Sequence, residues 1–262
     1  MKQKKVAIIG DSFVDRYCEG SVDRISPEAP VPVLNAHKWF SLGGGAINVA
    51  NNLMALGLRP TLFTITDMQL PYEVVSPKDA KPLYKTRFVC NKHQLLRVDE
   101  PDRYLQQDIQ RIERPSFNDF DIIAFADYDK GIINGGQATI VDTKKKDLSV
   151  FEGSAFLKIN QKEFEESKNH KAFKSMFITK GEGGIDYYHN GNKLLNSPAR
   201  AKDVIDVTGA GDTVMAAIIY CLATGVEKTS HIMKIANKAA GIVVSKFGTS
   251  VANYEELFGK NS

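Results

Sequence analysis

The chain has 262 residues, of which 43% are hydrophobic and 25% charged, and its formal net charge is +3. This length suits one domain with a single substantial core. The small positive charge is too weak to imply a nucleic-acid partner but is compatible with a site for a small anion. No run approaches the roughly 18 apolar residues of a membrane helix, and the basic start meets only a short apolar run. We therefore expect a cytoplasmic protein that begins with a strand.

Short apolar runs alternate with helical patterns along the chain. The runs are typical of strands buried on both faces of a parallel sheet, and they occupy 5–10, 61–66, 121–126, 138–143, 155–160 and 176–180. Apolar residues at helical spacing predict helices over 46–56, 213–222 and 232–244. This alternation predicts a layered α/β fold around a mainly parallel sheet.

Two segments interrupt the alternation. Residues 17–40 carry three prolines and so cannot form one long helix, and residues 84–98 alternate as an extended ribbon rich in Lys, Arg and Gln. The two segments are expected to form a small sheet beside the main one, as a lid over a site. A later segment, 185–199, reads as a hairpin around a His-Asn-Gly-Asn turn.

The segment Gly209-Ala210-Gly211-Asp212 precedes a predicted helix. A glycine-rich turn at a helix start presents unpaired N–H groups and the positive end of the helix dipole, which together bind anions. A bound phosphate would repel Asp212, a cost that makes sense if the carboxylate takes a proton from a hydroxyl that attacks phosphorus. The alternative is that Asp212 only caps the helix. The P-loop motif is absent from the sequence.

Several ordered segments resemble the ribokinase (PfkB) family of sugar kinases. Residues 206–212, DVTGAGD, are similar to its second signature, and residues 42–57 resemble its first signature region. Within the family, GDSFVDRYCEG (10–20) and DRISPEAPVPVL (23–34) are most similar to the heptose 7-phosphate kinases of lipopolysaccharide precursor synthesis. Further segments follow in the order of that subgroup at 84–99, 126–131, 141–147, 179–184 and 239–250.

The resemblance implies a three-layer α/β/α fold with a small β lid formed by about 14–40 and 84–100. It also implies an ATP-dependent kinase that phosphorylates O1 of a heptose 7-phosphate. The near alternatives are another phosphosugar or nucleoside kinase of this family, and a non-catalytic sugar- or nucleotide-binding homologue.

The resemblance also assigns roles to individual positions. Asp212 is expected to be the catalytic base, and the backbone of Gly209, Ala210 and Gly211 an anion hole. The expected sugar-binding residues are Asp11, Asp15, Gly44, Gly45 and Asn48. The expected nucleotide-binding residues are Asn160, Glu163, Thr179, Gly181, Gly184, Asn237 and Gly241. As simpler alternatives, Gly44 and Gly45 only permit a tight turn, and Asn48 only caps its helix.

Two cation sites are implied in the same way. Asn160 and Glu163 match an N-x-x-E element that organises Mg²⁺, with action through water expected because Mg²⁺ keeps several waters. The simpler alternative is a capping box, and both can hold for the same residues. Asp206 and Thr208, with the loop around Gly248, resemble a monovalent-cation site that would suit K⁺. The cysteines and histidines are scattered and form no metal motif.

Four basic residues suggest which sugar is bound. Lys85, Arg87, Arg97 and Lys130 give more positive charge than a neutral sugar needs, and they suit a phosphate already on the substrate. The alternative is a solvated edge strand that carries Lys and Arg against aggregation.

Such lids often pair across a dimer in this family, so a homodimer is expected.

The sequence departs from the family pattern between residues 58 and 84. Members normally carry a Gly-Asp turn, a helix and a strand there, so part of the substrate-side wall is expected to be missing. Thr143 and Ile159 also stand where the subgroup has proline. From these differences we expect altered substrate specificity or poor activity. The 262 residues contain no H-x-G-H motif of a nucleotidyltransferase, so we expect a single kinase domain over 1–262 and a separate protein for nucleotidyl transfer.

Overall fold

The computed structural model of the protein describes residues 4–91, 93–199, 204–246 and 248–259. Its strands, in chain order, are β1 (Val6–Gly10), β2 (Ser12–Ile25), β3 (Pro32–Gly45), β4 (Pro60–Phe63), β5 (Glu73–Val75), β6 (Leu83–Cys90), β7 (His93–Glu100), β8 (Ile122–Asp127), β9 (Ile140–Thr143), β10 (Phe156–Asn160), β11 (Ser175–Thr179), β12 (Ile185–His189) and β13 (Asn192–Ser197). Its helices are α1 (Ala46–Ala55), α2 (Gln106–Ile109), α3 (Gln161–Glu166), α4 (Ala210–Thr224), α5 (Thr229–Val244) and α6 (Tyr254–Phe258).

The central sheet has the order β13-β12-β11-β10-β9-β8-β1-β4-β5. Its strands are parallel except for the β11-β12-β13 ladder, which is antiparallel. All six apolar runs lie in these strands, and the segment 185–199 forms the β12–β13 hairpin. The α/β class and the mainly parallel sheet predicted from the sequence are therefore confirmed.

Each face of the sheet has its own hydrophobic core because side chains alternate along a strand. In β1, Val6 and Ile8 pack against α1, α4 and α5, whereas Ala7 and Ile9 point to the opposite face. That opposite face is covered by α2, by 3-10 turns such as Leu148–Phe151 and by loops. Of the two helical layers in the expected α/β/α arrangement, the one on this face is therefore thin in the described part of the chain.

The predicted lid is a separate four-stranded sheet with the order β3-β2-β6-β7. Strands β2 and β3 pair antiparallel from Ser12↔Gly45 to Ile25↔Pro32, and β6 lies parallel to β2. Pro27 and Pro30 fall in the turn between β2 and β3, where no ladder hydrogen bond is lost. Lys92, between β6 and β7, lies outside the described residues.

The segment between β4 and β6 lacks a helix, as the sequence predicted, but it does contain a strand. Residues 64–82 are all described and contain the three-residue strand β5 but no helix. Elsewhere, the helices predicted from periodicity correspond to α1, α4 and α5, with α4 and α5 each beginning three residues earlier than expected. No described helix combines the length and the apolar character that crossing a membrane requires.

Candidate active site

A cavity of about 720 Å³ lies where the carboxyl ends of β8 to β11 meet the amino terminus of α4. Open parallel sheets bind ligands at this edge, because the loops there converge. The expected catalytic segment and the expected nucleotide-binding residues all line the cavity, namely Gly209, Ala210, Gly211, Asp212, Asn160, Glu163, Thr179, Gly181, Gly184, Asn237 and Gly241. The tertiary structure thus brings together residues that are far apart in the sequence.

The glycine segment forms the first turn of α4. Gly209 is the N-cap residue in a left-handed conformation, with φ of 78°, and no side chain caps the helix. Asp212 is therefore the third helical residue, so the interpretation of Asp212 as the N-cap is wrong. A Cβ atom at Gly209 would lie 2.5 Å from the Nδ2 atom of Asn48, which leaves no room for a larger residue. The amino terminus of this 15-residue helix directs its positive dipole end into the cavity.

The Asp212 carboxylate is held by two donors. The Asn48 Nδ2 atom donates to Oδ2 at 2.9 Å, and the Tyr128 hydroxyl donates to Oδ1. Burial, with 5% of the residue exposed, raises the pKa of Asp212 from its ordinary 3.8 to about 6, whereas the two hydrogen bonds lower it. A carboxylate with this pKa is ionised at neutral pH and basic enough to accept a proton from a bound hydroxyl.

Four charged residues of the cavity were not predicted as site residues, namely Asp142, Lys144, Lys158 and Glu182. Lys158, in the middle of β10, forms a buried ion pair of 2.6 Å with Asp142 of β9. A Cβ atom at Gly211 would lie 3.0 Å from the Lys158 ammonium, so this cation sits beside the glycine turn. Lys144 pairs with Glu163. The signal that could have found Lys158 is a lysine inside an apolar strand, since lysine is rarely buried without a partner.

The N-x-x-E element begins α3. Asn160 and Glu163 form a capping box, in which the Asn160 Oδ1 atom accepts from the Glu163 N–H and the Glu163 Oε2 atom accepts from the Asn160 N–H, both at 2.8 Å. The capping alternative is therefore confirmed. Both side chains also line the cavity, together with Asp142.

The expected sugar-binding residues divide into two groups. Asp11 is fully buried, and its carboxylate accepts the backbone N–H groups of Tyr128, Lys130 and Ile132 at 2.8, 3.0 and 3.1 Å. Burial raises its pKa to about 6. Asp11 thus organises the loop 128–132 from beneath the site.

Asp15, Gly44, Gly45 and Asn48 form the second group. The first three lie at the base of the lid, whereas Asn48 is the third residue of α1, whose N-cap residue is Gly45, so the interpretation of Asn48 as a helix cap is wrong. The Asp15 carboxylate forms a 2.5 Å ion pair with Arg87 of β6. A Cβ atom at Gly44 would lie 2.6 Å from the Asp15 Oδ2 atom, so glycine is needed for this close approach. Gly45 has a φ of 63°, where L side chains are strained, and begins the turn into α1. The tight-turn alternative therefore holds for Gly45.

All four predicted phosphate-binding cations have partners within the protein. Lys85 lies over the Phe13 ring, Arg87 pairs with Asp15, Arg97 with Asp99, and Lys130 with Asp102. Arg87 and Arg97 are cross-strand neighbours in the β6–β7 ladder, next to Lys85. The structure thus clusters three of the four on the lid, while Lys130 belongs to the loop after β8.

Asp206 connects two loops. Its Oδ1 atom accepts from the Thr208 N–H at 2.9 Å, and its Oδ2 atom accepts from the Gly248 N–H at 3.0 Å. The next residue, Thr249, has a buried hydroxyl with no hydrogen-bond partner among the described residues.

At the far end of the cavity, the Asn237 Nδ2 atom donates to the Ser197 carbonyl at 2.7 Å, which fixes α5 to the end of β13.

We expect Asp212 to make the stability of the protein depend on pH. Its folded pKa lies above the unfolded value, so its contribution is present below pH 4 and is lost as the pH rises through 6. Asp212→Asn removes this loss. The unfolding free energy of the variant relative to wild type should therefore rise by on the order of 2 kcal/mol between pH 4.5 and 7.5, measured by urea denaturation.

Asp186→Asn provides the control for this titration. Burial works to raise the pKa of Asp186, but hydrogen bonds from Lys180 and Lys193 hold it below its ordinary value. Asp186 therefore titrates below pH 4 in both the folded and the unfolded state, so the relative stability of Asp186→Asn should stay nearly constant between pH 4.5 and 7.5. An Asp212→Asn difference that stays constant with pH would contradict the raised pKa.

Residues 134–256 match the family described as pfkB family carbohydrate kinase. Over 305 aligned positions the chain is 31% identical to the bifunctional protein HldE of Caulobacter sp. (strain K31), an alignment that covers 97% of this chain and 62% of that protein. The chain thus spans less than two thirds of the length of this relative. The 305 aligned positions exceed the 262 residues of the chain, so the relative has segments that this chain lacks.

Solved structures show the same fold. The nucleoside kinase of Methanocaldococcus jannaschii, an archaeal member of the ribokinase family, superposes with a TM-score of 0.72 at 18% identity, covering 98% of this chain and 97% of that chain. Arabidopsis thaliana ribokinase, complexed with ribose and ATP, gives a TM-score of 0.67 at 15% identity, covering 97% and 96%. The expected ribokinase-like fold is therefore confirmed.

Proposed function

We propose that the chain is a carbohydrate kinase of the pfkB family, a phosphotransferase with an alcohol group as acceptor, which transfers the γ-phosphoryl group of ATP to O1 of a heptose 7-phosphate. The observation that carries the proposal is the ionisable Asp212 carboxylate beside the glycine turn of α4, inside one cavity. We propose a heptose as the acceptor because residues 10–20 and 23–34 resemble kinases of lipopolysaccharide precursor synthesis.

Asp212 is the base of the proposed reaction. The O1 hydroxyl of the sugar gives its proton to the Asp212 carboxylate as the oxygen attacks the γ-phosphorus, and ADP leaves from the opposite side. The backbone N–H groups of Gly209, Ala210 and Gly211 and the dipole of α4 stabilise the negative charge on the phosphoryl oxygens. The Lys158 ammonium adds positive charge at the same place.

Mg²⁺ fits the donors at the carboxyl end of β10. Asn160, Glu163 and Asp142 supply hard oxygen atoms that line one cavity, and Mg²⁺ prefers oxygen ligands while keeping several waters. We propose that Asn160 and Glu163 hold the ion through water. When bound, it would neutralise charge on the ATP phosphates.

K⁺ fits the loop that Asp206 orders. The Asp206 carboxylate, Thr208 and the Thr249 hydroxyl supply oxygen atoms in this loop. The Thr249 hydroxyl is buried and has no hydrogen-bond partner among the described residues. The oxygen atoms of Asp206 and Thr208 would hold the ion beside the glycine turn. No step of the proposed transfer depends on it.

The acceptor is proposed to bind between the lid and α1. Asp15, Gly44, Gly45 and Asn48 face its hydroxyls, and the lid cluster of Lys85, Arg87 and Arg97 supplies cations for its phosphate. Lys130 adds a fourth cation, since Lys130 and Lys85 both interact with Asp102. Burial lowers the pKa of Lys85, so a bound phosphate would restore a favourable partner for its charged form.

We propose that the lid also pairs across a homodimer and that the kinase forms one domain.

An ADP-release assay across a panel of acceptors tests this proposal. The panel contains heptose 7-phosphate, unphosphorylated heptose, fructose 6-phosphate, ribose and a nucleoside, with Asp212→Asn as the inactive control. We expect the highest kcat/KM with heptose 7-phosphate and a 1,7-bisphosphate product by ³¹P NMR. Preference for another acceptor would assign the enzyme to that substrate. Saturable ATP binding without any turnover would instead favour a binding protein, which the short wall at 64–82 also suggests.

A further inference from the structure

Tyr128 was not assigned by the sequence analysis, yet it contacts the proposed base. Its hydroxyl donates to the Asp212 Oδ1 atom. Its ring is held in place by an edge-to-face contact with Phe13, at 5.2 Å between centroids, and by the Lys144 ammonium 5.6 Å from the ring centre. A hydroxyl on a ring held this firmly can direct a carboxylate oxygen.

The backbone of Tyr128 is held by a second carboxylate. Asp11, fully buried at the end of β1, accepts the N–H groups of Tyr128, Lys130 and Ile132. The loop 128–132 therefore donates backbone N–H groups to Asp11 and the Tyr128 hydroxyl to Asp212. This single loop connects the two carboxylates, Asp11 and Asp212.

We propose that Tyr128 is a positioning residue that orients the Asp212 carboxylate and favours its ionised form, and that Asp11 acts through Tyr128 by fixing the loop 128–132. This inference rests on the proposed function, because it treats Asp212 as the base. It changes the role expected for Asp11 from binding sugar hydroxyls to holding the loop.

The charges around Asp212 are consistent with this role. Asn48 faces it from α1, Asp142 from β9 and Lys158 from β10, with Lys144 further out. Asp142 disfavours and Lys158 favours the carboxylate, and these two groups form an ion pair with each other. Burial and the Asp212 charge raise the pKa of Tyr128 well above its ordinary value, so its hydroxyl keeps the proton and acts as a donor.

Tyr128→Phe tests the proposal on the free enzyme. The variant keeps the ring against Phe13 and removes one hydrogen bond to a charged group. The Asp212 midpoint should therefore rise by about one to two pH units. The midpoint is read by ¹³C NMR of aspartate-labelled protein, with the Asp212 signal identified by its loss in Asp212→Asn. Tyr187→Phe is the control, because the Tyr187 hydroxyl bonds to Ser175 and not to Asp212. This variant should leave the Asp212 midpoint unchanged.

The kinase assay provides a second readout. In Tyr128→Phe the acid limb of kcat/KM should move to higher pH by the same amount, and kcat/KM at pH 9 should also fall, because the ionised carboxylate is no longer oriented. An unmoved acid limb or an unmoved Asp212 midpoint would overturn the inference. In Asp11→Asn the amides of residues 128, 130 and 132 should exchange hydrogen faster, and unchanged rates would overturn the role of Asp11. The NMR and exchange readings need no turnover, so they separate this inference from failure of the proposed function.

Discussion

Asp212→Asn is expected to lower phosphoryl transfer by about 10²- to 10⁴-fold, because an amide cannot accept the proton of the attacking hydroxyl. The substitution keeps the size of the side chain, so the turn at Gly209–Gly211 should persist. Removing a negative charge from an anion-binding helix terminus also removes repulsion of the ATP phosphates. ATP affinity, measured by calorimetry, should therefore be equal to or tighter than that of wild type.

The control for this loss is Asp119→Asn, on an exposed loop. Its turnover should stay within about twofold of wild type. An Asp212→Asn enzyme that retains full phosphoryl transfer would remove Asp212 from the mechanism. Loss of activity together with loss of ATP binding would point to a damaged site instead of a missing base.

The largest effect on stability is expected at the Lys158–Asp142 pair. Both side chains are nearly inaccessible, with 5% and 12% exposed, and their charged atoms lie 2.6 Å apart. Lys158→Met would leave the Asp142 carboxylate buried without its cation, in a position where burial already raises its pKa. We expect the free energy of unfolding, from urea denaturation at pH 7.5, to fall by about 3–5 kcal/mol.

A double variant separates the buried charge from general packing. In Lys158→Met with Asp142→Leu no unpaired carboxylate remains, so most of the lost stability should return. Lys162→Met is the matched control, since Lys162 is 83% exposed and pairs with Glu166 at 3.8 Å. Its stability should change by about 0.5 kcal/mol or less. A Lys158→Met loss no larger than that of Lys162→Met would contradict the proposed cost.

Much of the fold could be predicted because its strands are buried on both faces. Such strands are continuous apolar runs, and β1, β8 and β11 are recognisable without any knowledge of their partners. The lid was recognised from its alternation and its prolines. The short helices α2 and α6 were missed, since four or five residues are too few to show a helical period. The start of α3 was recognised as a candidate only through its capping box.

The candidate site was predictable where one local segment carries the chemistry. The glycine turn and Asp212 adjoin in the sequence, so their association did not depend on the fold. Tyr128 and Lys158 were missed because their importance lies in contacts across strands. Tyr128 is separated from Asp212 by 84 residues, and Lys158 from Asp142 by 16. Asp11 shows the same limit, since only the packed loop 128–132 distinguishes support of the site from contact with the substrate.

By itself, the sequence determined the α/β class, the lid and the glycine turn with its aspartate, because each depends on local composition and spacing. The tertiary structure decided that Asp212 lies third in α4, that its carboxylate meets Asn48 and Tyr128, and that a buried lysine stands beside the turn. These features depend on the order of strands in the sheet. That order sets which loop ends meet, and the resulting burial shifts the charges that the chemistry needs.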